Sequence, residues 1–312
     1  MKIINTSCFR EKLNRMIVKR QKKSIYSDNI GYLLIAPFYI FLVLFILLPI
    51  LMNFFLSFTN YDMRSMDFIG LRNYINLFDD EYFLISLKNT FVYTFFRLLL
   101  AMVLGLCVAL ALKDKIFGLK FYRTSFFVPH VTSMVAASMI WLWMFEPSHG
   151  IINQALGLFG IKGKLWLFDV RYAMGCIVTV SLWKVIGYNM VIYIAGLQSI
   201  PNYLYEAATI DGANALKKFR HITWPLLRPV TFFLFVTGLI ECFKVFELVM
   251  ILTNGGPMNA TTTIVHQIYD RAFEDYYIGY GAAQAIVLLM IVATITIINF
   301  KYGNQGHELD VG

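Results

Sequence analysis

Five ionisable side chains interrupt otherwise apolar runs of the sequence: Arg97, Lys184, Glu241, Lys244 and Glu247. A charge in a lipid-embedded segment is costly unless it looks into a cavity or meets a partner, so each is a candidate for function. Glu241, Lys244 and Glu247 fall at i, i+3 and i+6 with Phe243 and Phe246 alongside, a spacing that predicts one inward-looking helical face. Trp183, Lys184, Tyr188, Asn189 and Tyr193 give the preceding apolar run a similar mixture of rings and hydrogen-bonding groups. Carboxylates, amides and ammonium groups bond hydroxyls, and aromatic rings stack on C–H faces, which is how a hydroxylated ring such as a sugar is recognised. Lys184, Asn189, Glu241, Phe243, Lys244 and Glu247 are therefore the candidate ligand-contacting residues. The competing reading is that these charges, with Arg97, only neutralise one another or pair with an adjoining chain. Bond-breaking chemistry has no comparable support. His130, His149, His221, His266 and His307 are scattered, so no catalytic residue and no metal ligand is assigned. Cys8, Cys107, Cys176 and Cys242 share no loop and describe neither a disulfide framework nor a metal site.

The elements that must position these groups are read from hydropathy. Of 312 residues 58% are hydrophobic and 15% charged, with a mean hydropathy of +0.63, against about 45–50% and about 25% in soluble domains. This balance excludes a disordered chain and a typical cytosolic enzyme and points to a polytopic membrane protein. A helix crosses the hydrocarbon core in roughly 20 residues. Six runs qualify, near residues 31–58, 89–112, 121–145, 170–197, 225–252 and 278–300. About thirty polar, basic residues precede the first run, so it reads as a retained helix and not as a cleaved signal. Lys and Arg favour the cytoplasmic side. They crowd residues 1–29 and recur at Lys113, Lys115, Lys120, Arg123, Lys217, Lys218, Arg220 and Lys301, whereas Asp62, Asp67, Asp79, Asp80, Glu81, Asp270, Glu274 and Asp275 dominate the alternate loops. The sequence thus predicts an all-α integral membrane fold with six transmembrane helices and both termini cytoplasmic. It divides into a basic segment at 1–29, a six-helix membrane-spanning body at 30–300 and a tail at 301–312. The net charge of +8 is then a topology signal, and nucleic acid is excluded as a partner. Arg10, Leu13, Met16, Ile17 and Arg20 make the N-terminal segment either an amphipathic helix on the lipid surface or a basic tail.

Between the fourth and fifth runs lies a polar loop at about 198–224. Ser199 reads as a helix cap with Pro201 in the first turn. A short helix carrying Glu206, Ala207 and Ala208 is ended by Asp211-Gly212, and a second helix from about 213 to 222 sets Leu216, Phe219 and Ile222 on one face. Pro225 opens the next run. Such a knob either docks into a cytoplasmic partner or rests on lipid headgroups.

Glu206-Ala207-Ala208, Asp211-Gly212-Ala213, Ile222 and Pro225 resemble the EAA loop of bacterial ABC importer permeases: EAA, three residues, Gly, nine residues, Ile, one residue, Leu-Pro. Trp224 stands where Leu is usual. The resemblance extends over most of the chain and is to the carbohydrate group, the maltose, lactose and glycerol-phosphate type. Its further marks are Ala36-Pro37, Phe68-Ile69-Gly70-Leu71, Asn73-Tyr74, Asn89-Thr90, Pro129, Trp141, Gly150, Asn153, and Leu252 to Pro257 followed by Asn259-Ala260-Thr261. It implies the type I importer permease fold in a bacterial cytoplasmic membrane. It also implies a second, similar permease, two ATP-binding subunits and an extracytoplasmic solute-binding protein that delivers carbohydrate. The loop, through Glu206, Ala207, Ala208, Asp211, Gly212, Phe219, Ile222 and Pro225, would couple to the ATPase. The chain would carry no cofactor, ATP-Mg being held by the partner subunits, in keeping with the absence of a GxxxxGK[ST] loop. An ion-coupled secondary transporter also uses intramembrane Glu and Lys, but the lack of an inverted repeat and the EAA-like loop stand against it. A membrane-embedded enzyme is disfavoured by the missing catalytic set.

Overall fold

The computed structural model describes residues 29–114 and 116–303, so the reading of the basic N-terminal segment as amphipathic helix or tail, and that of the C-terminal tail, lie outside the described residues. The chain divides into two units, one ending at Phe55 and the other beginning at Leu56. Helix α1 (Asn29–Leu42) passes through a π turn at Val43–Leu47 into α2 (Leu48–Leu56). The wide turn and Pro37 are the two irregularities along this run.

In the second unit α3 (Arg72–Asp79) leads into α4 (Glu81–Ala111). Asp80 starts α4 by accepting from the backbone N–H groups of Tyr82 and Phe83 at 2.9 and 3.2 Å. Helices α5 (Leu119–Val131) and α6 (Met134–Met144) follow, then α7 (Ile151–Leu158) and α8 (Ala173–Gln198). The polar loop comprises α9 (Asn202–Ile210), α10 (Ala215–Lys218), a π turn at Phe219–Thr223 and α11 (Trp224–Leu226). Helices α12 (Arg228–Phe243), α13 (Glu247–Leu252), α14 (Ile264–Tyr269) and α15 (Ile278–Gly303) complete the chain. Among the described residues an isolated bridge between Thr59 and Phe68 is the sole β pairing.

Four helical stretches are long and apolar enough to cross a membrane, at Leu34–Leu56, Glu81–Ala111, Ala173–Gln198 and Ile278–Lys301. The third and fifth expected spans are broken. Leu119–Val131 and Met134–Met144 meet at 101°, and Ala215–Leu226 and Arg228–Phe243 at 61°, so six crossings result if each bent pair crosses once. The physical cause of the first break is local. Pro129 withholds an N–H from the helix, and Thr132 and Ser133 take extended backbone, with ψ of 149° and 138°. Hydropathy is blind to such a break because both halves are equally apolar.

Helices α4 and α8 form the central pair, with α5 and α12 packed on them. The core is continuous along this pair. Leu77, Phe83, Ile264 and Ala283 fill one end, Tyr93, Ile177, Leu239, Phe243 and Leu248 the middle, and Ala109, Leu112, Met190, Ile194, Ile200 and Leu227 the end beside the polar loop. At Gly187 any Cβ would collide with the backbone carbonyl of Phe126, so α5 lies directly on α8 by virtue of a missing side chain.

Candidate functional site

A cavity of about 530 Å³ opens between α4, α5, α8 and α12, and Arg97, His130, Lys184, Tyr188, Asn189, Thr237 and Glu241 are among its lining residues. Three of the six sequence candidates, Lys184, Asn189 and Glu241, are thus brought together, and Arg97 joins them. The two cations are held by backbone oxygen. Lys184 Nζ donates to the carbonyls of Pro129 at 3.1 Å and Thr132 at 2.5 Å at the break after α5, where Pro129 O also accepts from the Thr132 hydroxyl at 2.7 Å. Arg97 Nη1 donates to Gly238 O at 3.0 Å and to Cys242 Sγ at 3.3 Å, binding α4 to α12. Asn189 Nδ2 donates to Ala101 O at 3.0 Å. Lys184, Arg97 and Asn189 are each under a tenth exposed, whereas Glu241 is exposed. Among the described residues no ion pair within 4 Å joins any of Arg97, Lys184, Glu241, Lys244 and Glu247. The reading that these charges neutralise one another within the chain therefore has no pairing to support it. Lys184 is met by carbonyl dipoles and Arg97 by one carbonyl and the Cys242 sulfur, with its buried Nε unbonded, while the Glu241 carboxylate faces the cavity without a bond to the protein among the described residues.

The common helical face of Glu241, Lys244 and Glu247 is corrected by the fold. Helix α12 stops at Phe243, and its last turn tightens to bonds from Lys244 N to Glu241 O and from Val245 N to Cys242 O, both 3.3 Å. Thr263 Oγ1 then takes the Val245 carbonyl at 3.0 Å, and a new helix starts at Glu247. Lys244 and Glu247 are exposed on either side of this break and do not line the cavity. Phe243 is 1% exposed, packed edge-on to Phe91 at 5.3 Å, so it is a core residue with no face for a ligand. Sequence reasoning set His130 aside with the other histidines. It lines the cavity and stacks on Tyr188 at 4.8 Å, and the signal that could have found it is its place one residue after Pro129 in an apolar run.

At the end of α8 the polar loop folds back on itself. Ser199 Oγ donates to Gly196 O, so Ser199 closes α8, and Pro201 is the residue that precedes α9: the cap assignment shifts accordingly. Gly212 has φ of +73°, with Gly212 N bonded to Thr209 O at 3.1 Å and Ala213 N to Ala208 O at 2.8 Å, a Schellman closure that needs a left-handed residue. Asn214 caps the next helix by accepting from Lys217 N at 2.9 Å, which moves its start to Ala215. Beyond Lys218 the helix widens into the π turn, so Leu216, Phe219 and Ile222 do not share one face. Leu216 is 73% exposed, while Ile222 packs on the inner core cluster and Phe219 lies against Trp224. Tyr205 OH and Thr223 Oγ1 lie 2.9 Å apart, and Lys218 Nζ donates to Thr209 Oγ1 at 2.7 Å, so both halves of the loop move as one body. Its ends are buried at Ile200 and Leu227, while Tyr203, Glu206, Ile210 and Leu216 stay exposed.

Several residues that carried the family resemblance prove to be brackets at the opposite end. Asn73 Nδ2 spans the carbonyls of Ser57 and Thr59, and Asn89 Nδ2 those of Asn259 and Thr262. Thr90 Oγ1 accepts from Ile264 N. Asn153 donates to Pro147 O and Lys164 O and accepts from Lys164 N and Trp166 Nε1.

Residues 88–303 match the family described as "Binding-protein-dependent transport system inner membrane component". The chain is 37% identical over 276 residues to the sn-glycerol-3-phosphate transport system permease protein UgpA of Agrobacterium fabrum, covering 87% of this chain and 93% of that one. It is 36% identical over 285 residues to the "Probable ABC transporter permease protein YurN" of Bacillus subtilis, covering 89% and 97%. A solved bacterial ABC transporter that imports the acidic polysaccharide alginate contains a chain of the same fold, at a TM-score of 0.80 and 24% identity over 91% of this chain and 98% of that one. None of these relatives supports an ion-coupled transporter. The cavity between broken spans and the bracketed loop thus belong to a transport permease and not an enzyme, a multi-pass membrane protein of the binding-protein-dependent transport system inner membrane component family.

Proposed function

We propose that this chain is the transmembrane subunit of an ATP-driven carbohydrate importer in a bacterial cytoplasmic membrane, with six crossings and both termini cytoplasmic. It pairs with a second, similar permease, receives substrate from an extracytoplasmic solute-binding protein, and rests on two ATP-binding subunits that hold the ATP-Mg. The permease body extends over about 30–300, between a cytoplasmic basic segment and tail. The named functions of the relatives support the substrate class: glycerol phosphate for one and an acidic polysaccharide for another.

One observation carries the mechanism: the loop is a single body spliced between two of the four helices that line the cavity. Its first end continues α8, which bears Lys184 and Asn189, and its second end continues through the 61° bend at Leu227 into α12, which bears Glu241. A push on the exposed Tyr203–Glu206–Ile210–Leu216 surface by a closing ATPase therefore displaces both walls of the cavity together, which is what alternating access requires. Glu206, Ala207, Ala208, Asp211 and Gly212 form the docking side, while Phe219, Ile222 and Pro225 transmit the motion. Lys184, Asn189 and Glu241 are half of the path. Glu241, the carboxylate left unbonded, meets substrate hydroxyls, and Lys184 and Arg97 keep the walls in register.

The test is paired. Gly212→Val, which forces a β-branched side chain into a left-handed conformation, is expected to abolish co-purification of the ATPase and uptake alike. Glu241→Gln is expected to abolish uptake while the complex still assembles, and Glu247→Gln, outside the cavity, is expected to spare it. Normal co-purification by the first variant overturns the docking role, and normal uptake by the second overturns the path.

A further inference from the structure

A second hollow lies at the end of the molecule away from the polar loop, where the segment preceding α4 meets the segment preceding α15. It has a volume of about 390 Å³ and shares no lining residue with the cavity at Glu241. Tyr61, Tyr277 and Tyr280 supply rings to its wall, and Asp62, Asn76 and Arg271 supply polar groups. The wall is pinned. Gly279 N donates to Tyr61 O at 2.9 Å, and Tyr280 OH donates to Asp80 Oδ2 at 2.7 Å across 200 residues of chain. Arg271 Nη1 is ion-paired to Asp275 at 2.7 Å, and its Nη2, which is not buried, donates to nothing among the described residues. Asp62 uses only Oδ1, for the Arg64 and Ser65 N–H groups, and the exposed Asn76 amide bonds nothing among the described residues.

A guanidinium N–H without an acceptor, a free amide, a carboxylate oxygen and three rings on a rigid concave wall are an incomplete set of hydrogen bonds awaiting hydroxyls. The charges select among hydroxylated ligands. Asp62 and Asp80 line the hollow against Arg271, whose own charge is already met by Asp275, so the site is net acidic and repels phosphorylated or carboxylated sugars. The Ser65 N–H holds the Asp62 carboxyl below its ordinary 3.8, so this charge persists at all physiological pH.

We propose that this hollow, framed by Tyr61, Asn76, Arg271 and Tyr277, is a separate subsite for a neutral saccharide at the outer mouth of the permease. It takes one or two sugar rings, with Arg271 Nη2 and Asn76 on ring hydroxyls and the tyrosines against C–H faces. It rests on the carbohydrate reading for its ligand and on the proposed orientation for "outer", but not on the loop or on Glu241.

The experiment is saturation-transfer NMR on the full complex in nanodiscs, with maltose as the neutral probe and glucose 6-phosphate as the anionic one. Maltose is expected to receive transfer that falls about tenfold in apparent affinity in Asn76→Leu, the scale of one or two lost hydrogen bonds, and in Tyr277→Leu, while persisting in Glu241→Gln. Transfer lost in Glu241→Gln but kept in Asn76→Leu and Tyr277→Leu places the sugar in the central cavity and overturns the subsite while leaving the importer reading intact. Equal transfer to glucose 6-phosphate, equally sensitive to Asn76→Leu, overturns the neutral assignment. No maltose transfer, with loss of binding-protein-stimulated ATP hydrolysis in Asn76→Leu, assigns the hollow to a protein contact and overturns the proposal. Transfer with the expected pattern in a complex whose uptake survives ATP depletion supports the subsite and overturns the importer reading instead.

Discussion

The two ends of the second unit use their polar side chains in opposite ways. At the end around α3, α7 and α14, Asn73, Asn89, Thr90 and Asn153 turn inward and satisfy backbone groups of other segments. At the polar-loop end, Asn214, Thr209 and Tyr205 secure only the loop's own turns, and Glu206, Ile210 and Leu216 are left facing out. The first end ties its backbone groups within the chain and leaves open polar groups only in the hollow at Tyr61 and Arg271. The second has apolar and charged surface that is complete only against another protein.

If that contrast is right, breaking a bracket costs stability and breaking the knob costs assembly. The largest stability effect is expected from Asn153→Leu, which strands the carbonyls of Pro147 and Lys164 and the N–H groups of Lys164 and Trp166. A loss of about 3 kcal/mol or more follows from several orphaned polar groups, and thermal unfolding in detergent reads it. A melt unchanged from the parent would erase the distinction between the ends. Leu216→Ser should leave the melt within about 0.5 kcal/mol because the side chain is already exposed, yet reduce ATPase co-purification about tenfold, the value of one buried Leu contact at an interface. Tyr205→Phe removes one hydroxyl from Thr223 and is expected to cost about 1 kcal/mol. It should slow uptake more than it weakens assembly, since it loosens the loop as a lever without altering its exposed face. The smallest effect concerns Asp169, just before α8. Hydrogen bonds from the Arg171 side chain hold its carboxyl down to about 2 from an ordinary 3.8. The favourable contribution of this pair is therefore present above the unfolded value and fades as pH falls from about 3.8 toward about 2. The carboxyl carbon shift of Asp169 reports the titration, and Arg171→Gln should return it toward 3.8.

What could be read in advance follows the same division. The membrane-spanning character of the chain was legible because lipid imposes length and apolarity on each crossing. The Gly212 turn was legible because Asp-Gly before a helix start is a local signal. The grouping of Lys184, Asn189 and Glu241 followed from polarity in apolar runs, where few explanations compete. The breaks at Thr132 and Lys244 were not legible, since hydropathy carries across each, and a continuous-helix assumption put Lys244 and Glu247 on a face that α12 does not possess. The carbonyl partners of Lys184 and Arg97 were hidden for a related reason: backbone acceptors carry no residue type. The hollow at Tyr61 and Arg271 is built from segments some 200 positions apart, as is the Asp80–Tyr280 bond across it, beyond any spacing argument.

The grip of Lys184 on Pro129 and Thr132 has a consequence for biosynthesis. Helices of 13 and 11 residues are about 20 and 17 Å long at 1.5 Å per residue, each too short to cross about 30 Å of hydrocarbon as a straight rod. When the ribosome has made α5 and α6 but not yet α8, the carbonyls at the break have no ammonium to meet. The joint between α5 and α6 is then held at Pro129 O only by the Thr132 hydroxyl, and α8, some fifty residues later, brings the lysine that ties both carbonyls.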